Sequence, residues 1–285
     1  MPVMEKILIA DSGSSKTQWA VIGDNNGRSY LSSGINPYFL GSDEIFRNLS
    51  AELKDLAGMK FSRVYFYGTG CNSNKKEEIV RVALEAFTGC KDIFVGSDLL
   101  GAARSLCSDK PGIACIMGTG SNSCYYDGSK IVSNIPPLGY ILGDEGGGAV
   151  LGRKIVSSII KMQVPESVRE NFLSQYNLTT AEILDNVYTK PFPNRFLGQF
   201  AKFIGENREI PEIKEIIVSS FDDFIRRNIL QYPESASHEV HFTGSIAYHF
   251  REILTDQITK HGLRKGKITL APMEGLIQYH KNFLI

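Results

Sequence analysis

One order of predicted elements occurs twice along this chain of 285 residues. Three strands come first, followed by helix, strand, helix, strand and helix, so each half is predicted to be βββαβαβα. In the first half, an apolar strand at 7–10 leads through a Gly/Ser turn into a strand at 18–22; in the second, a strand at 113–117 leads through a Gly-rich turn into a hairpin. Little residue identity links the halves, so the repeat is architectural. It predicts an α/β protein with two similar lobes.

The boundary between the lobes is predicted at the turn-forming cluster Asp109-Lys110-Pro111-Gly112. Residues 1–109, together with a final helix at about 274–285, are assigned to the N-terminal lobe, and residues 110–273 to the C-terminal lobe. The stretch from about 165 to 232 is predicted to be an all-helical insertion in the second lobe.

Some helices are predicted in more detail. Ser42 is expected to cap the first helix, and single helices are predicted at 146–162 and 246–260. The turn signal Asp24-Asn25-Asn26-Gly27 separates the second and third strands. The second helix is predicted to bury one apolar face, formed by Ile79, Val82, Ala83, Ala86 and Phe87.

Composition excludes several classes of protein. The 31 basic and 31 acidic side chains balance, which gives no electrostatic reason to bind nucleic acid or an anionic membrane. The apolar run at 7–10 is too short for a signal peptide, and no stretch approaches the roughly 20 apolar residues of a membrane span. A soluble, cytoplasmic protein is therefore expected.

Cysteine and histidine spacing gives no argument for a metal centre. The chain contains Cys71, Cys90, Cys107, Cys115 and Cys124, without CxxC spacing, so buried reduced thiols are expected. His238 and His241 are three residues apart at the entry to a predicted strand, where structural roles are favoured over metal binding. The chain also lacks a GxxxxGK[ST] phosphate loop and a GxSxG elbow.

Two turns that join the first two strands of each half have phosphate-binding character. In residues 11–17, small side chains allow close approach of backbone amides, Lys16 supplies positive charge, and Asp11 could hold Mg²⁺ through water. Residues 118–122 (Gly-Thr-Gly-Ser-Asn) occupy the equivalent place. Either sequence alone also suits an ordinary polar turn. Their equivalent positions favour a duplicated lobe that binds one nucleotide between two phosphate hairpins.

Three further segments carry candidate polar groups. Asp98 lies at a strand-to-helix junction, where it could accept a proton from a hydroxyl or simply cap the helix. In residues 143–148, Asp144 could bind sugar hydroxyls or cap a helix, and Glu145 is expected in the first turn of that helix. Three consecutive glycines there indicate close backbone approach to a ligand or to the other lobe. Residues 243–245 follow a strand and could contact an adenosine.

Together these segments resemble the phosphate-1, phosphate-2 and adenosine motifs of the actin/hexokinase/heat-shock ATPase superfamily. More narrowly, the chain resembles the BadF/BadG/BcrA/BcrD ATPase family, which includes N-acetylglucosamine kinase, over essentially its whole length. The resemblance implies two ribonuclease H-like, actin-like lobes. It also implies in-line phosphoryl transfer from ATP, with Mg²⁺, to a hydroxyl (the 6-OH) of a small amino sugar.

The resemblance also implies roles for individual residues. Asp98 matches the catalytic base in an Asp-x-x-Gly segment. The nucleotide-binding matches are Asp11, Gly13, Ser14, Ser15, Lys16 and Thr17 (phosphate-1), Gly118, Thr119 and Gly120 (phosphate-2), and Thr243, Gly244 and Ser245 (adenosine). The sugar-binding matches are Asn36, Asp98, Thr119, Asn122 and Asp144.

The chain departs from its relatives at two places. Leu138 occupies the position of a Trp in kinases with known sugar sites, which leaves the exact sugar open. Met273-Glu274-Gly275 replaces an adenosine-side glycine pair.

Two other functions occur on the same fold. An ATPase activator of a 2-hydroxyacyl-CoA dehydratase or benzoyl-CoA reductase would share an iron–sulfur cluster between subunits; Cys115 resembles its first cysteine, but no cysteine follows Cys124 and the Gly-Gly-Gln-Asp motif is missing. A non-catalytic sugar sensor usually carries an additional DNA-binding module, and here the first strand already begins at residue 7. A homodimer is the default expectation for assembly.

Overall fold

The computed structural model describes residues 6–13, 15–23 and 28–281. Ser14 and the turn at 24–27 lie outside the described residues. Those described residues form two compact units: the chain up to Asp109 with the chain from Pro272 onward, and Lys110–Ala271.

The first unit has the order β1, β2, β3, α1, β4, α2, β5, α3 and is completed by the last helix of the chain. The elements are β1 (Ile7–Ser12), β2 (Lys16–Ile22), β3 (Ser29–Ser33), α1 (Ser42–Glu52), β4 (Arg63–Gly68), α2 (Asn74–Thr88), β5 (Ile93–Ser97) and α3 (Asp98–Cys107).

The second unit repeats the three-strand start and adds helices before its last two strands. Its strands are β6 (Pro111–Met117), β7 (Ser121–Asp127), β8 (Ile131–Ile135), β9 (Glu239–Thr243) and β10 (Arg264–Thr269). Its helices are α4 (Gly139–Leu142), α5 (Gly148–Ile160), α6 (Glu166–Tyr176), α7 (Thr180–Tyr188), α8 (Pro193–Gly198), α9 (Ala201–Glu206), α10 (Pro211–Arg227), α11 (Ser245–His249) and α12 (Arg251–Lys260). Helix α13 (Met273–Lys281) then returns to the first unit.

The two sheets have the same topology. The first has the strand order β3-β2-β1-β4-β5 and the second β10-β9-β6-β7-β8. In each, the first three strands of the unit are antiparallel neighbours and the remaining pairs are parallel. The predicted duplication βββαβαβα and the all-helical insertion are therefore confirmed, and the mixed five-stranded sheets match the predicted α/β class.

Both faces of the first sheet are covered. Trp19 and Phe66 pack on the side of α1 and α2 with ring centroids 6.1 Å apart, and the buried indole donates a hydrogen bond to Ser32 Oγ at 2.9 Å. Ile9 and Tyr67 lie on the opposite side, with Leu276 of α13. Burial on both faces explains why β1 is almost entirely apolar.

The core of the second unit is rich in phenylalanine contributed by the insertion. Phe172 packs against Phe200 and Phe203 at centroid distances of 4.9 and 5.1 Å, and Phe224 contacts Phe242 of β9 at 6.3 Å. The insertion therefore shares one core with the sheet rather than forming a separate body.

Several helix predictions need correction. The N-cap of α1 is Gly41, not Ser42, and no side chain caps that terminus. The predicted helix at 246–260 is two helices separated at Phe250, whose backbone (φ −105°, ψ 22°) leaves the helical region while its ring is buried beside Phe221. Apolar spacing continues across such a break, so it could not be read from periodicity.

The predicted buried face of α2 is also rotated. The residues that α2 buries are Val80, Ala83 and Leu84, whereas Val82 is 43% exposed. Because Val80, Ala83 and Leu84 lie at i, i+3 and i+4, they satisfy the same helical periodicity as the predicted set. Periodicity alone does not distinguish two overlapping apolar stripes.

All five cysteines are buried, as expected for structural thiols. In the part of the chain that the structure describes, no helix combines the length and the apolar character that crossing a bilayer would require.

Candidate active site

The turn between β1 and β2 begins after the register pair Ser12–Thr17. The Gly13 N–H donates to the Lys16 carbonyl at 3.0 Å, which closes the turn, and the Ser15 and Lys16 side chains are exposed. The Thr17 hydroxyl is instead buried, where it donates to the Ser33 carbonyl at 3.0 Å. Thr17 therefore shapes this turn from inside, while Ser15 and Lys16 face solvent.

Ser12, which the sequence analysis did not select, links this turn to the loop after β3. Its buried hydroxyl lies 2.7 Å from Thr17 Oγ1 and accepts a hydrogen bond from the Ile35 N–H at 3.0 Å. The next residue, Asn36, stabilises the loop in which it lies, because Asn36 Oδ1 accepts the Tyr38 N–H at 3.0 Å. The position of Asn36 is thus fixed relative to the first turn.

Asp98 is the first residue of α3, not its N-cap. The N-cap is Ser97, whose hydroxyl accepts the Leu100 N–H at 3.2 Å. The partly buried Asp98 carboxylate accepts the Leu99 N–H through Oδ1 at 2.8 Å and a hydrogen bond from the Thr69 side chain. Asp98 is therefore not the N-cap, although its carboxylate satisfies the Leu99 amide in the first turn of α3.

The charge of Asp98 acts on Asp11. Burial raises the pKa of Asp11 to about 7, the charge of Asp98 adds to the increase, and Lys16 opposes it. Burial also raises the pKa of Asp98, against the lowering effects of the Leu99 and Asp98 amides and of the Thr69 hydroxyl. Carboxyl groups with raised pKa values that lie close together are typical of functional sites.

The carboxylates of Asp11 and Asp98 make this turn a suitable place for Mg²⁺. Two neighbouring carboxylates whose ionised forms are disfavoured gain most from a nearby divalent cation, and oxygen is the ligand that Mg²⁺ prefers. Over the described ranges, no cluster of three or more His, Cys, Asp and Glu side chains is arranged to hold a metal. A cation here would therefore keep most of its water, as Mg²⁺ commonly does in phosphate sites.

The turn between β6 and β7 is built into the start of α5. The Gly118 N–H donates to the Gly120 carbonyl at 2.9 Å, while the Gly118 and Thr119 carbonyls accept the first two amides of α5, from Gly148 and Ala149, at 2.8 Å each. These helix amides would otherwise lack intrahelical partners. The turn and the helix terminus therefore hold each other in place.

The three consecutive glycines are explained by this packing within the second unit. An added Cβ would lie 2.2 Å from Met117 Cε at Gly146, 2.8 Å from the Gly120 backbone at Gly147, and 3.3 Å from the Gly118 carbonyl at Gly148. Gly146 also has φ +73°. The expected close approach is therefore real, but what approaches is the turn and core of the same unit.

Two predictions for this segment are wrong. Helix α5 runs from Gly148 to Ile160 rather than over 146–162, and its N-cap is Gly147. Glu145 consequently precedes the helix instead of lying in its first turn. Asp144 is not a cap: its backbone has φ +53°, and its Oδ1 accepts the Ser121 N–H at 3.2 Å.

The end of α10 holds the loop that carries Asp144. Arg227 forms an ion pair with the buried carboxylate of Glu145, and Asn228 Nδ2 donates to Glu145 Oε2 at 3.2 Å. Ser220 Oγ accepts the Gly146 N–H at 3.2 Å. The insertion thus supplies polar side chains that fix residues 145–146 beside Asp144.

Burial also acts on Asp144 itself. It raises the pKa of the Asp144 carboxyl, the Ser121 amide lowers it, and the charge of Glu145 raises it. Asn122, one residue after Ser121, has its Oδ1 fixed by Asn134 Nδ2 at 2.9 Å. The predicted sugar-binding residues of this unit, Thr119, Asn122 and Asp144, therefore belong to one continuous group around the second turn.

Residues Thr243–Ser245 lie at the end of β9, next to the same turn. Thr243 is buried and its Oγ1 accepts from Thr269 Oγ1 at 3.0 Å. Gly244 has φ +118°, and an added Cβ there would lie 2.3 Å from the carbonyl oxygen of Met117, the last residue of β6. Gly244 therefore allows this junction to approach the second turn closely.

The two departures from the family motifs fall at different places. Leu138 has φ +61° and is 60% exposed, just before α4. Gly275 lies in α13 of the first unit, where an added Cβ would be 2.3 Å from the Ser105 carbonyl of α3. Gly275 thus serves close packing of α13 on the helix that begins at Asp98.

Sequence reasoning missed Ser12, Thr69, Glu145 as a buried ion-pair partner, and the α10 residues that hold it. One signal for Thr69 was present: residues 68–73 (Gly-Thr-Gly-Cys-Asn-Ser) repeat residues 118–123 (Gly-Thr-Gly-Ser-Asn-Ser), differing only at Cys71 against Ser121. The α10 contacts depend on tertiary packing across some 80 positions and have no local signature.

No protein-family model matches the chain, and no curated protein matches it. Among solved structures, "Putative N-acetylglucosamine Kinase" from Porphyromonas gingivalis is 48% identical, covers 98% of this chain and 100% of its own, and has a TM-score of 0.93.

More distant structures share the fold. A second protein of the same description, from Chromobacterium violaceum, is 15% identical with a TM-score of 0.74 over 98% of this chain and 99% of its own. MreB5 of Spiroplasma citri, solved with ADP, is 13% identical with a TM-score of 0.51 over 99% of this chain and 97% of its own.

The duplicated sheets and these structural neighbours define an actin-like ATPase fold. Within that class, the 48% identity over the full length of the Porphyromonas gingivalis protein decides the narrower assignment. The chain belongs to the N-acetylglucosamine kinase-like family, as its motifs predicted.

Proposed function

We propose that this protein is an ATP-dependent sugar kinase that phosphorylates a hydroxyl, the 6-OH, of an amino sugar such as N-acetylglucosamine. The single observation that carries the proposal is Asp98: a partly buried carboxylate at a strand-to-helix junction, where Ser97 rather than Asp98 is the N-cap, with a raised pKa. The name of the relative that is 48% identical supports the same class of reaction.

Asp98 acts in this proposal as the general base. A carboxyl group whose pKa is raised by burial holds a proton more firmly than an exposed aspartate, so it is better matched to proton transfer near neutral pH. The Leu99 amide and the Thr69 hydroxyl hold the carboxylate in one orientation. Asp98 would accept the proton of the sugar hydroxyl as that oxygen forms its bond to phosphorus.

Each unit has its own candidates for nucleotide binding: the turn at 11–17 in the first unit, and the turn at 118–120 with residues 243–245 in the second. The exposed Lys16 and Ser15 offer a positive charge and a hydroxyl to phosphate oxygens, and residues 118–120 offer a second small-residue turn. Asp11 would hold Mg²⁺ through water, and when bound this ion neutralises charge on the β- and γ-phosphates.

Each unit also offers its own candidates for sugar binding: Asn36 and Asp98 in the first unit, and Thr119, Asn122 and Asp144 in the second. Fixed amides and carboxylates suit a polyhydroxylated ligand, since each sugar hydroxyl both donates and accepts. In the balanced reaction, the O–H bond of the sugar and the bond between the γ-phosphorus and its bridging oxygen break, one new P–O bond forms, and ADP leaves. Since ATP is a cytoplasmic substrate, we place the reaction in the cytoplasm.

Burial of the cysteines gives no support to the activator alternative. Cys115, the residue that resembles a cluster ligand, is 0% exposed within β6. A sugar sensor and a sugar kinase differ instead in whether the protein catalyses phosphoryl transfer.

The test is ADP release with N-acetylglucosamine, N-acetylmuramic acid, glucosamine and glucose, followed by identification of the phosphorylated position by NMR. We expect sugar-dependent ADP release that Asp98→Asn reduces by about 100-fold or more, with sugar binding retained. Asp55→Asn, an exposed aspartate of the same unit, is the matched control and leaves the rate unchanged. Sugar binding without ADP release would instead identify a sensor, and equal rates in Asp98→Asn and the parent would remove Asp98 as base.

A further inference from the structure

We infer that Thr69 is a positioning residue that holds the Asp98 carboxylate in its reactive orientation. The inference rests on the proposed function, in which Asp98 accepts the proton of the sugar hydroxyl. No motif of the family resemblance assigns a role to Thr69, and the residue enters only through its place in the fold.

The sheet register brings Thr69 to the site. Ser12 of β1 pairs with Gly68 of β4, and Gly68 in turn pairs with Ser97 of β5. Because these three strands are parallel, their carboxyl ends lie along one edge of the sheet. The residues that follow Gly68 and Ser97 are Thr69 and Asp98, so both leave the sheet side by side.

Thr69 makes two polar contacts at this edge. Its N–H donates to the Ser12 carbonyl at 3.0 Å, which fixes its backbone to the strand that leads into the first turn. Its side chain acts on the Asp98 carboxyl group, whose pKa it lowers, as expected from the strand register that places Thr69 beside Asp98. Asp98 Oδ1 also accepts the Leu99 N–H at 2.8 Å, but that amide belongs to the same helix turn. Thr69 is thus the contact that ties the carboxylate to a different strand.

The residue after Thr69 lies against the proposed sugar-binding Asn36. Gly70 has φ +79°, and an added Cβ would lie only 2.5 Å from Asn36 Oδ1. The same amide oxygen accepts the Tyr38 N–H at 3.0 Å. The segment that begins with Thr69 therefore passes from Asp98 to Asn36, which couples the orientation of the base to the place where the sugar is proposed to bind.

These contacts predict an effect on turnover rather than on sugar affinity. A general base must present a lone pair to the reacting hydroxyl, and a carboxylate held by a neighbouring donor samples fewer unproductive rotations. Loss of the Thr69 hydroxyl leaves Asn36 and Asp144 in place. We therefore expect kcat to fall while the KM for the sugar changes little.

The kinetic test compares Thr69→Val, Thr69→Ser and Thr88→Val in the ADP-release assay. Thr69→Val is expected to lower kcat by about 10- to 100-fold with sugar KM within about threefold, and Thr69→Ser, which keeps the hydroxyl, to restore most of kcat. Thr88 is the matched control, since its hydroxyl bonds to the Leu84 carbonyl at 2.7 Å and accepts the Cys90 N–H at 3.2 Å at the end of α2. Its substitution leaves kcat unchanged.

A thermal-unfolding cycle tests the contact without any activity. Thr69→Val should lower Tm by about 2 °C in the parent and by clearly less in an Asp98→Ala background, where the acceptor is gone. An unchanged kcat, a higher KM alone, or equal Tm losses in both backgrounds would each overturn the inference. If the parent protein releases no ADP with any sugar, the proposed function fails, and the thermal cycle still decides the Thr69–Asp98 contact.

Discussion

The carboxyl groups of Asp11 and Asp98 lie close enough that the charge of one raises the pKa of the other. They reach the same sheet edge from different strands: Asp11 is the next-to-last residue of β1, and Asp98 follows β5. Two ionised carboxylates in a partly buried place destabilise the unliganded fold, and that cost is removed by a bound cation or by a proton. The free energy of unfolding is therefore expected to depend on pH through these two carboxyl groups.

Asp11→Asn should stabilise the metal-free protein at alkaline pH. The folded-state pKa of Asp11 is raised to about 7 from 3.8, so its favourable contribution is complete below about pH 3.8 and is lost as the pH rises through about 7. In EDTA at pH 8 the variant should exceed the parent by about 1–3 kcal/mol in free energy of unfolding, and the difference should shrink towards pH 4. Urea unfolding at several pH values measures this.

Asp55→Asn is the control for that series, because Asp55 is exposed and its substitution should change stability little. The same Asp11→Asn variant should also lose most of its stabilisation by Mg²⁺ with ADP, as expected for a proposed cation site. A variant that is less stable than the parent at pH 8 in EDTA would show that the Asp11 carboxylate is not destabilising.

His280 should produce the opposite pH dependence in the same unit. Burial, together with the charges of Arg104 and Arg63, lowers its pKa to about 4, and its Nε2 lies 2.9 Å from the Tyr67 hydroxyl. The neutral ring therefore contributes stability that is present above about pH 6.5 and is lost as the pH falls through about 4. His280→Gln should flatten the acid side of a Tm-against-pH curve, whereas His249→Gln, at an exposed position, should leave that curve unchanged.

The sequence predicted the order of elements because each local signal agreed with the fold. Apolar strands followed by Gly-rich turns mark the start of both units, and the turn residues Asp127-Gly128 lie between β7 and β8. Boundaries were less predictable. The break at Phe250 and the rotated face of α2 are set by packing against the core, which periodicity does not contain.

The candidate site was predictable where a residue type alone suggests chemistry. This is true of the charged side chains Asp11, Lys16, Asp98 and Asp144. It is not true of Ser12, because a hydroxyl at a strand end becomes informative only when the sheet register shows which group it meets. Thr69 had one sequence signal, the repeat of residues 68–73 at 118–123, but that repeat does not show that Thr69 lies beside Asp98. The glycines at 146–148 predicted close approach correctly but could not show that the approaching group is the turn at 118–120.

Arg227→Met should weaken both the fold and sugar binding. Glu145 is 9% exposed at its side chain and would be left as a buried carboxylate beside Asp144. Because Arg227 is 58% exposed, solvent screens the pair, and we expect a loss of only about 1–2 kcal/mol. The KM for the sugar should rise several-fold as the loop carrying Asp144 loosens.

The control for Arg227→Met is Arg226→Met, since Arg226 is the preceding residue, is 65% exposed, and pairs instead with Asp222. The double variant Arg227→Met/Glu145→Gln should recover part of the lost stability, because the unpaired charge is removed. Equal losses in the Arg226 and Arg227 variants would contradict a specific role for the Glu145 ion pair.

Gly147→Ala should disable the second turn while leaving the first unit intact. An added Cβ would lie 2.8 Å from the Gly120 backbone carbon and 2.9 Å from the Asp144 carbonyl oxygen, so one of two backbone segments must shift. We expect a stability loss of about 1–3 kcal/mol, typical of overpacking, and a rise in the KM for both ATP and sugar.

The matched control is Gly41→Ala, where an added Cβ meets nothing within 4 Å. Because the Gly41 position is the N-cap of α1, where alanine is less favourable than glycine, a cost of about 0.5–1 kcal/mol is expected there, with unchanged kinetics. Wild-type kinetics in Gly147→Ala would mean that the geometry of the 118–120 turn does not govern substrate binding.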